Sequence, residues 1–324
     1  MTPTTTKRKP AAKNLALKRW PSKNVQSWKL RRAGALQVLQ AVPLERQSWL
    51  VHGFSTRPGG ASELPAPRDG RKATKKSLNL GFTDWDSRET VSANRKKFLH
   101  ALGADKMRLV TLRQIHSDIV HSVDGSAISQ QEPPQADALV TRERGVLLAV
   151  QTADCIPLLL ADTKNRAVAA IHSGWRGTLR RIAEKTIGRM QMDFGTEPAD
   201  LIAAIGPGIG GCCYPVGSEV AKEFESQFPE AREWFDGPFD GLAAGENDPN
   251  WLPWLTMRPP GHPPRPPTVL LDLLAANRAI LTKAGVPAGQ ISASGFCTGC
   301  RTDLFFSYRR ERTTGRLMAV IGVR

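Results

Sequence analysis

Three residues whose side chains could bind a metal ion lie in separate apolar segments. His116 stands in QIHSD, Cys155 in QTADC and His172 in AAIHSGWRG. Zn²⁺ accepts mixed imidazole and thiolate ligands, and three protein ligands leave a fourth position open, as in catalytic sites. An ion bound in this way lowers the pKa of a water ligand to about 7 and so activates it. These residue types therefore favour a catalytic zinc site.

Spacing alone leaves this interpretation open. Cys155 and His172 are close enough in sequence to lie on adjacent strands joined by a turn at 162–166. However, no HExxH or paired CxxC pattern covers the three residues, and a single buried cysteine is often a small apolar core residue. A metal-free enzyme is a further alternative, in which Cys155 is the nucleophile and His172 or His116 the base.

Three other residues could bind the substrate. Arg57 in STRPGG could bind phosphate, and Asn79 in SLNLG could orient a hydroxyl or an amide. Arg176 in SGWRG follows Gly174 at the start of a predicted helix, where free backbone N–H groups and the guanidinium both attract anions. Ordinary turn chemistry and a surface arginine explain the same residues.

The remaining four cysteines form two local pairs. Cys297 and Cys300 make a CxxC motif, which could be a redox pair or half of a zinc ribbon. No second CxxC completes a ribbon, although Cys212 and Cys213 could approach the motif in the fold. The glycine-rich segment around them, GPGIGGCCYPVG, matches neither a P-loop nor GxGxxG, which disfavours a dinucleotide site. An odd number of cysteines, five in all, favours reduced thiols and a cytoplasmic location.

Charge and composition divide the chain of 324 residues. Residues 1–32 carry ten Lys or Arg and no acidic residue, although the whole chain has a net charge of +15. We predict a basic, disordered arm over 1–37 and a single catalytic domain over 38–324, with a Pro/Trp-rich insertion at about 236–267. No apolar run approaches the roughly 20 residues that cross a bilayer, so no membrane partner is expected. Nucleic acid contact is restricted to weak binding through the arm.

The hydrophobic pattern predicts mixed α and β structure around the candidate ligands. Strand-like segments at 109–123, 145–161 and 167–172 contain or end near His116, Cys155 and His172. Helical spacing appears at 88–102, and a second, long amphipathic helix is predicted over 178–194. On this prediction His116 lies in the middle of a strand.

Nine segments taken together resemble one known family. They occur in one order from about Trp49 to the end of the chain: HGFSTRPGG, SLNLG, QIHSD, DALVT, QTADCIPLLLAD, AAIHSGWRGT, AAIGPGIGGCCYPVG, SGFCTGC and FFSYRRE. This set closely resembles the laccase-domain family, formerly labelled multicopper polyphenol oxidases and now regarded as purine nucleoside phosphorylases. The basic arm and the Pro-rich insertion fall outside the resemblance, and the loop at 57–76 is longer than usual.

The resemblance implies a fold, a cofactor and an activity. The fold would be α+β, an αββα layered sandwich resembling the catalytic domain of cytotoxic necrotising factor toxins. One Zn²⁺ per chain would be held by His116, Cys155 and His172. The activities would be phosphorolysis of adenosine, inosine, guanosine and methylthioadenosine by inorganic phosphate, and deamination of adenosine. Copper is disfavoured, because multicopper centres take many histidine ligands and the chain has six histidines in all.

The resemblance also suggests roles for the polar residues around the metal. Arg57 and Arg176 would hold phosphate, and Asn79 would orient the substrate. Asp154, which precedes Cys155, would move a proton to N7 of the purine as a general acid–base group. Some relatives are described as peptidoglycan-editing factors, so a hydrolase of cell-wall precursors that uses the same site is an alternative, as is the thiol hydrolase.

Overall fold

The computed structural model describes residues 27–65, 76–124, 132–237 and 268–324. These residues form a mixed α/β structure with several sheets, as the hydrophobic pattern predicted. The strands are β1 Trp28–Ala33, β2 Leu36–Ala41, β3 Leu50–Ser55, β4 Pro58–Ser62, β5 Arg108–Val110, β6 Val120–Ser122, β7 Ala138–Thr141, β8 Val146–Thr152, β9 Ile156–Asp162, β10 Val168–Ser173, β11 Leu201–Ile205, β12 Pro215–Gly217, β13 Phe235–Asp236, β14 Thr268–Leu271, β15 Ile291–Ala293 and β16 Leu317–Val323. The helices are α1 Val42–Glu45, α2 Arg88–Ala101, α3 Trp175–Leu179, α4 Ile182–Phe194, α5 Ser218–Gln227, α6 Leu273–Lys283 and α7 Tyr308–Glu311.

Two six-stranded sheets dominate the described structure. The first has the strand order β1-β2-β3-β16-β8-β5, so the C-terminal strand β16 lies in its centre. The second has the order β15-β11-β9-β10-β7-β6, and a small third sheet contains β12, β14 and β13. In the second sheet β9 pairs antiparallel with both β10 and β11, whereas β11 and β15 run parallel.

Successive side chains of the central strands point to opposite faces of their sheet and therefore lie in two different apolar layers. One set packs between the two sheets and includes Leu148 and Ile321 from the first sheet and Leu159 and Ala170 from the second. The opposite faces are covered by helices, α2 on the first sheet through Phe98, and α4 and α6 on the second. Both faces of each central strand are therefore buried, which explains their nearly continuous hydrophobic sequences.

Local signals set the ends of the main helices. Ser87 caps α2 by accepting a hydrogen bond from the backbone N–H of Thr90, and Asp272 caps α6 in the same way from Ala275. Gly195 ends α4 in the left-handed conformation that glycine adopts at little cost. No helix of the described residues has the length and hydrophobicity needed to cross a membrane.

The predicted boundary of the N-terminal arm is wrong. Residue 37 falls inside an antiparallel hairpin in which β1 pairs with β2 along its whole length, with Trp28 opposite Ala41. Basic residues of β1 face solvent, while Trp28 is buried and packs against Phe54. The prediction missed this strand because half of its residues are basic and most are exposed. Residues 1–26 and 238–267 lie outside the described residues, and the disordered arm and the insertion there stay predictions.

Two predicted elements differ from the structure. The strand expected over 109–123 is replaced by the short strands β5 and β6, and His116 lies in the connection between them with a positive φ of 57°. The single helix expected over 178–194 is two helices, α3 and α4, separated at Arg181, which has φ 59°. A long-range hydrogen bond accounts for the first difference, because Asp137 holds the His116 loop. In the second case α3 has a buried partner of its own, since Asn277 donates to the Thr178 hydroxyl.

Candidate metal centre

A hairpin in the second sheet brings Cys155 and His172 together. Strand β9 begins directly after Cys155, and β10 returns antiparallel with His172 opposite Pro157 and Ser173 opposite Ile156. The sequence spacing predicted this arrangement of two adjacent strands. The thiol and the imidazole therefore lie at the same end of the hairpin.

His116 reaches the same point from a loop. The backbone N–H groups of Ile115, His116 and Ser117 all donate to the Asp137 carboxylate, at 3.2, 3.1 and 2.6 Å. The Ser117 hydroxyl donates to the same carboxylate at 2.7 Å. In this loop, hydrogen bonds to the Asp137 side chain take the place of the backbone hydrogen bonds between strands. They permit the left-handed backbone conformation of His116.

The ligand atoms of His116, Cys155 and His172 all lie within 4.8 Å of one another. Nε2 of His116 is 3.9 Å from Sγ of Cys155, and the two imidazole rings meet edge to face with centroids 5.0 Å apart. Bond lengths of about 2.3 Å to sulfur and 2.0–2.1 Å to nitrogen place such ligands about 3.6 Å apart around tetrahedral zinc. The donor set and its spacing therefore fit a single zinc ion after small rotations of the side chains.

The centre is open on one side. His172 is buried, Cys155 is partly buried and His116 is exposed. A metal ion held by the three residues would consequently be accessible from the side of His116. This asymmetry is typical of a catalytic metal site, in which one coordination position is left for water or substrate.

Asp137 orients both histidines. Nδ1 of His172 donates to Oδ1 of Asp137 at 2.8 Å, which directs Nε2 toward Cys155. Burial raises the pKa of this carboxyl group, but hydrogen bonds from His172 and Ser117 lower it more strongly, to about 2. Metal-binding histidines commonly donate their second ring N–H to a carboxylate in this way. Asp137 lies in the DALVT segment, but its role was not predicted.

Without a metal, the thiol and the buried imidazole form an ion pair. Burial raises the pKa of the Cys155 thiol, but the charge of His172 and hydrogen bonds from both imidazoles lower it to about 6. Burial lowers the pKa of His172, whereas the Cys155 thiolate and Asp137 raise it to about 9. Near neutral pH the pair is therefore a thiolate and an imidazolium.

Gly174 leaves room for the three ligands. A Cβ atom at this position would lie 2.9 Å from Sγ of Cys155 and 3.2 Å from Cδ2 of His116. Its φ of −78° is accessible to any residue, so the need for glycine is steric rather than conformational. The glycine of the HSGWRG segment thus permits close packing of α3 against the centre.

Asp154 stabilises the turn that carries Cys155. Its Oδ1 accepts a hydrogen bond from the Thr298 hydroxyl and its Oδ2 from the backbone N–H of Arg309, each at 2.7 Å. Its own backbone has a φ of 96° and its carbonyl accepts from Ile209. These contacts show that the carboxylate holds three segments together beside Cys155. The predicted role of Asp154 in proton transfer stays a prediction.

Arg57 and Asn79 are buried among other partners. The Arg57 guanidinium pairs with Glu311 at 2.7 Å and donates to the carbonyl of Thr302 at 2.8 Å. Asn79 donates to Asp86 and accepts from the backbone N–H of Arg316. These hydrogen bonds brace the loops that surround β16, and the predicted substrate contacts of both residues stay predictions.

Arg176 differs from Arg57 in being exposed. Its guanidinium lies 4.4 Å from the ring centroid of Trp175, and both residues follow Gly174 directly. A Cβ atom at Gly174 would meet the ligand cluster, and Arg176, two residues further along the chain, presents its positive charge to solvent in the first turn of α3. Of the two arginines predicted to bind phosphate, Arg176 is the one accessible to solvent, and it stands close in sequence to the ligand His172.

Tyr214 is a neighbour of the centre that the sequence did not single out. It is buried, burial and the Cys155 charge raise the pKa of its phenol to about 12, and the Arg309 guanidinium lies 5.0 Å from its ring centroid. Its signal was its place in the GPGIGGCCYPVG segment, which was compared only with nucleotide-binding motifs. Tyr214 therefore remains a neutral hydrogen-bond donor over the whole range of physiological pH.

Comparisons with known proteins give a consistent set of similarities. The family model described as multi-copper polyphenol oxidoreductase laccase matches residues 51–324. A purine nucleoside phosphorylase from Deinococcus radiodurans is 38% identical over 276 residues, 84% of this chain and 88% of that protein. The purine nucleoside phosphorylase YlmD of Geobacillus stearothermophilus is 34% identical over 281 residues, 85% of this chain and 90% of that protein.

Solved structures show the same similarity in three dimensions. The Bacillus licheniformis hypothetical protein YfiH superposes with a TM-score of 0.73 and 29% identity, covering 91% of this chain and 99% of that one. YlmD from Geobacillus stearothermophilus superposes with a TM-score of 0.70 and 31% identity, covering 93% and 99%.

Proposed function

The chain belongs to the multi-copper polyphenol oxidoreductase laccase family, and from this premise we propose that it is a zinc-dependent purine nucleoside phosphorylase. Relatives that cover most of the chain carry the name purine nucleoside phosphorylase. The observation that carries the proposal is the convergence of the ligand atoms of His116, Cys155 and His172 within 4.8 Å.

Zinc is the metal that best matches these donors. Two imidazoles and one thiolate suit a borderline-soft ion without redox chemistry, whereas multicopper centres require many more histidines. One zinc ion held by these three residues would act as a Lewis acid toward an oxygen atom close to it. The buried Asp137–His172 pair supports this choice, because it presents Nε2 of a fixed imidazole to the ion.

The substrates would be a purine nucleoside and inorganic phosphate. Arg176 would bind phosphate from its exposed position, and Arg57 would join it by exchanging its pair with Glu311. A phosphate oxygen forms a bond to C1′ of the ribose while the bond from C1′ to N9 breaks, and the purine leaves with the electron pair. Asp154 would move the proton that N7 requires, and Asn79 would orient the sugar.

Several finer assignments belong to the same proposal. Adenosine, inosine, guanosine and methylthioadenosine would be phosphorolysed, and adenosine would also be deaminated at this site, with water replacing the amino group and ammonia leaving. We place the protein in the cytoplasm, because all five cysteines are free thiols. The two facing sheets with outer helices support an αββα layered sandwich. That this sandwich resembles the catalytic domain of cytotoxic necrotising factor toxins is a further part of the proposal.

One observation favours a second candidate, a metal-free thiol hydrolase. The pKa of Cys155 is lowered to about 6 and that of His172 is raised to about 9, which describes an activated thiolate beside an imidazolium. Such a pair would attack a carbonyl carbon as a nucleophile. The same side chains would then act without any ion.

The experiment measures phosphorolysis and metal content on the full chain. Inosine and adenosine are incubated with and without phosphate, and the free base and ribose 1-phosphate are quantified. We expect base release to require phosphate, to be abolished by a chelator and to return when zinc is added. The variants Cys155→Ser and His116→Ala should each lose at least about 10²-fold in kcat/KM, because each removes a metal ligand.

A matched control separates metal ligation from general damage. His100 is an exposed histidine that pairs with Asp105 at the end of α2, and His100→Ala should retain full activity. Undiminished turnover by metal-free protein, together with inactivation by alkylation of Cys155, would support the thiol hydrolase. Base release that does not depend on phosphate would overturn the phosphorylase proposal.

A further inference from the structure

Four cysteines outside the candidate metal centre meet at one point, which we call the thiol cluster. Cys212 and Cys213 follow strand β11, and Cys297 and Cys300 follow strand β15. Because β11 and β15 are adjacent and parallel, their carboxyl ends lie at the same edge of the sheet and the loops that follow them meet. A short bridge between Gly208 and Cys297 continues this parallel pairing into the loops.

The sulfur atoms of the thiol cluster are spaced as metal ligands. All four Sγ atoms lie within 4.8 Å of one another. Sγ of Cys300 is 3.5 Å from Sγ of Cys212 and 3.4 Å from Sγ of Cys213. The Sγ atoms of Cys212 and Cys213 are 3.8 Å apart. With zinc–sulfur bonds of about 2.3 Å, the sulfur atoms of a tetrahedral site lie about 3.8 Å apart.

A disulfide does not account for this arrangement as well. Its sulfur atoms are bonded at about 2.05 Å, whereas all four cysteines of the cluster are free thiols. Cys300 is nearly equidistant from Cys212 and Cys213, so no one pair is preferred. Four thiols converging from two loops match the Cys₄ ligand set of structural zinc sites better than one redox pair.

We propose that Cys212, Cys213, Cys297 and Cys300 bind a second zinc ion as a structural site. Two N–H donors support the negative charge that four thiolates bring to the ion. The backbone N–H of Gly210 donates to Cys297 Sγ, and the Arg310 guanidinium donates to Cys213 Sγ, both at 3.2 Å. Donors of this kind are typical partners of metal-bound thiolates. Cys212 and Cys300 are exposed, which gives the ion a path from solvent.

The thiol cluster is linked to the candidate metal centre through Thr298. This residue lies between Cys297 and Cys300, and its hydroxyl donates to the carboxylate of Asp154, the neighbour of Cys155. Its backbone N–H donates to Gly208, and Ile209 donates to the carbonyl of Asp154. A zinc ion in the cluster would therefore hold both loops that keep the Asp154 turn in place. Its role is to position this turn, and it takes no part in the reaction.

The proposal is tested by counting and characterising zinc on the full chain, purified with reductant. We expect about two zinc ions per chain, and about one in each of two double variants, His116→Ala/His172→Ala and Cys297→Ser/Cys300→Ser. In the histidine variant, X-ray absorption at the zinc edge should show sulfur neighbours alone at about 2.3 Å. Cobalt added to the metal-free form of this variant should produce intense thiolate-to-cobalt charge-transfer absorption.

The count distinguishes this proposal from the proposed function. Loss of one zinc ion in the histidine variant reports only on the candidate metal centre, because the thiol cluster retains its own ion in that variant. Cys155→Ser is the matched cysteine control, and when it is added to the histidine variant it should leave the sulfur-only spectrum of that variant unchanged. One zinc per chain in the unaltered protein, with four thiols that react rapidly with a thiol reagent, overturns the proposal. So does a disulfide within the cluster in protein purified with reductant. If the variant Cys297→Ser/Cys300→Ser fails to fold, the X-ray absorption and cobalt spectra of the histidine variant still show whether the thiol cluster binds a metal ion.

Discussion

Asp137 accepts a hydrogen bond from Nδ1 of His172 at 2.8 Å, and the same carboxylate accepts from the backbone N–H of His116 at 3.1 Å. One buried side chain thereby orients two of the three candidate metal ligands. It fixes His172 through the ring and His116 through the loop. The two histidines are far apart in sequence, and Asp137 is the residue that relates their positions.

Replacement of this carboxylate should weaken metal binding. In Asp137→Asn the amide keeps one acceptor oxygen but loses the charge, so zinc affinity should fall about 10–100-fold. Zinc competition with a chromophoric chelator measures the change. Asp162→Asn is a matched control, because Asp162 is equally buried and accepts from the backbone of Lys164 and Asn165 at the opposite end of β9. Equal losses of zinc affinity in both variants would argue against a specific role for Asp137.

Zinc binding should release a proton. In the metal-free protein the pKa of His172 is raised to about 9 and that of Cys155 is lowered to about 6, so between these values His172 carries a proton that the metal displaces. Zinc affinity should therefore increase about tenfold per pH unit from pH 7 to 9 and level off above that. Calorimetry in buffers of different ionisation enthalpy measures the protons released, and a result near zero at pH 7.5 contradicts the ion pair.

Adding one methyl group beside the centre should disturb it. In Gly174→Ala the new Cβ would meet Cys155 Sγ at 2.9 Å, so a ligand must move and zinc affinity and kcat/KM should fall, by about tenfold or more. Gly188→Ala is the control, because nothing lies within 4 Å of a Cβ there. This helical site should gain roughly 0.5–1 kcal/mol of stability with unchanged activity. Unchanged zinc affinity in Gly174→Ala would show that the centre tolerates the methyl group.

Asp154 can be tested separately as a proton carrier and as a brace. In Asp154→Asn, the amide oxygen can still accept from Arg309, and the Thr298 hydroxyl can turn to accept from the amide nitrogen. If Asp154 moves the proton, kcat should fall about 10²-fold or more with little change in melting temperature. Thr298→Val keeps the carboxylate and removes one hydrogen bond, so its effect on kcat should be much smaller. Equal losses of kcat would instead assign Asp154 a bracing role.

His52 should make the fold sensitive to acid. Burial lowers the pKa of this histidine to about 4, and its Nε2 accepts a hydrogen bond from the backbone N–H of Ala41. The unfolded chain binds the proton at about pH 6.5, so stability should decrease as pH falls from 6.5 to 4, by roughly 3 kcal/mol. His52→Gln keeps an acceptor without this titration and should show a shallower loss. Urea unfolding at pH 7 and pH 4.5 measures the difference, and parallel losses in both proteins would contradict this role of His52.

Much of the site was predictable because its residues lie on strongly patterned strands. The apolar runs around Cys155 and His172 predicted β9 and β10, and the short gap between them predicted the hairpin. The cap residues of α2 and the glycine after α4 were equally local signals. The strand predicted around His116 from alternating residues was wrong. Backbone N–H groups there form hydrogen bonds with the distant Asp137 carboxylate, and these bonds compete with pairing in the sheet.

The amino-acid sequence by itself determined which chemical groups are available, two imidazoles and a thiolate, and which apolar strands carry them. Local propensity and periodicity act over a few residues, so these features could be read without the fold. Only the tertiary structure decided that Asp137 orients both histidines, that Gly174 must be small, and that two cysteine pairs meet beside Asp154. These relationships depend on which strands become neighbours in the second sheet, and that order is set by packing between segments far apart in the chain.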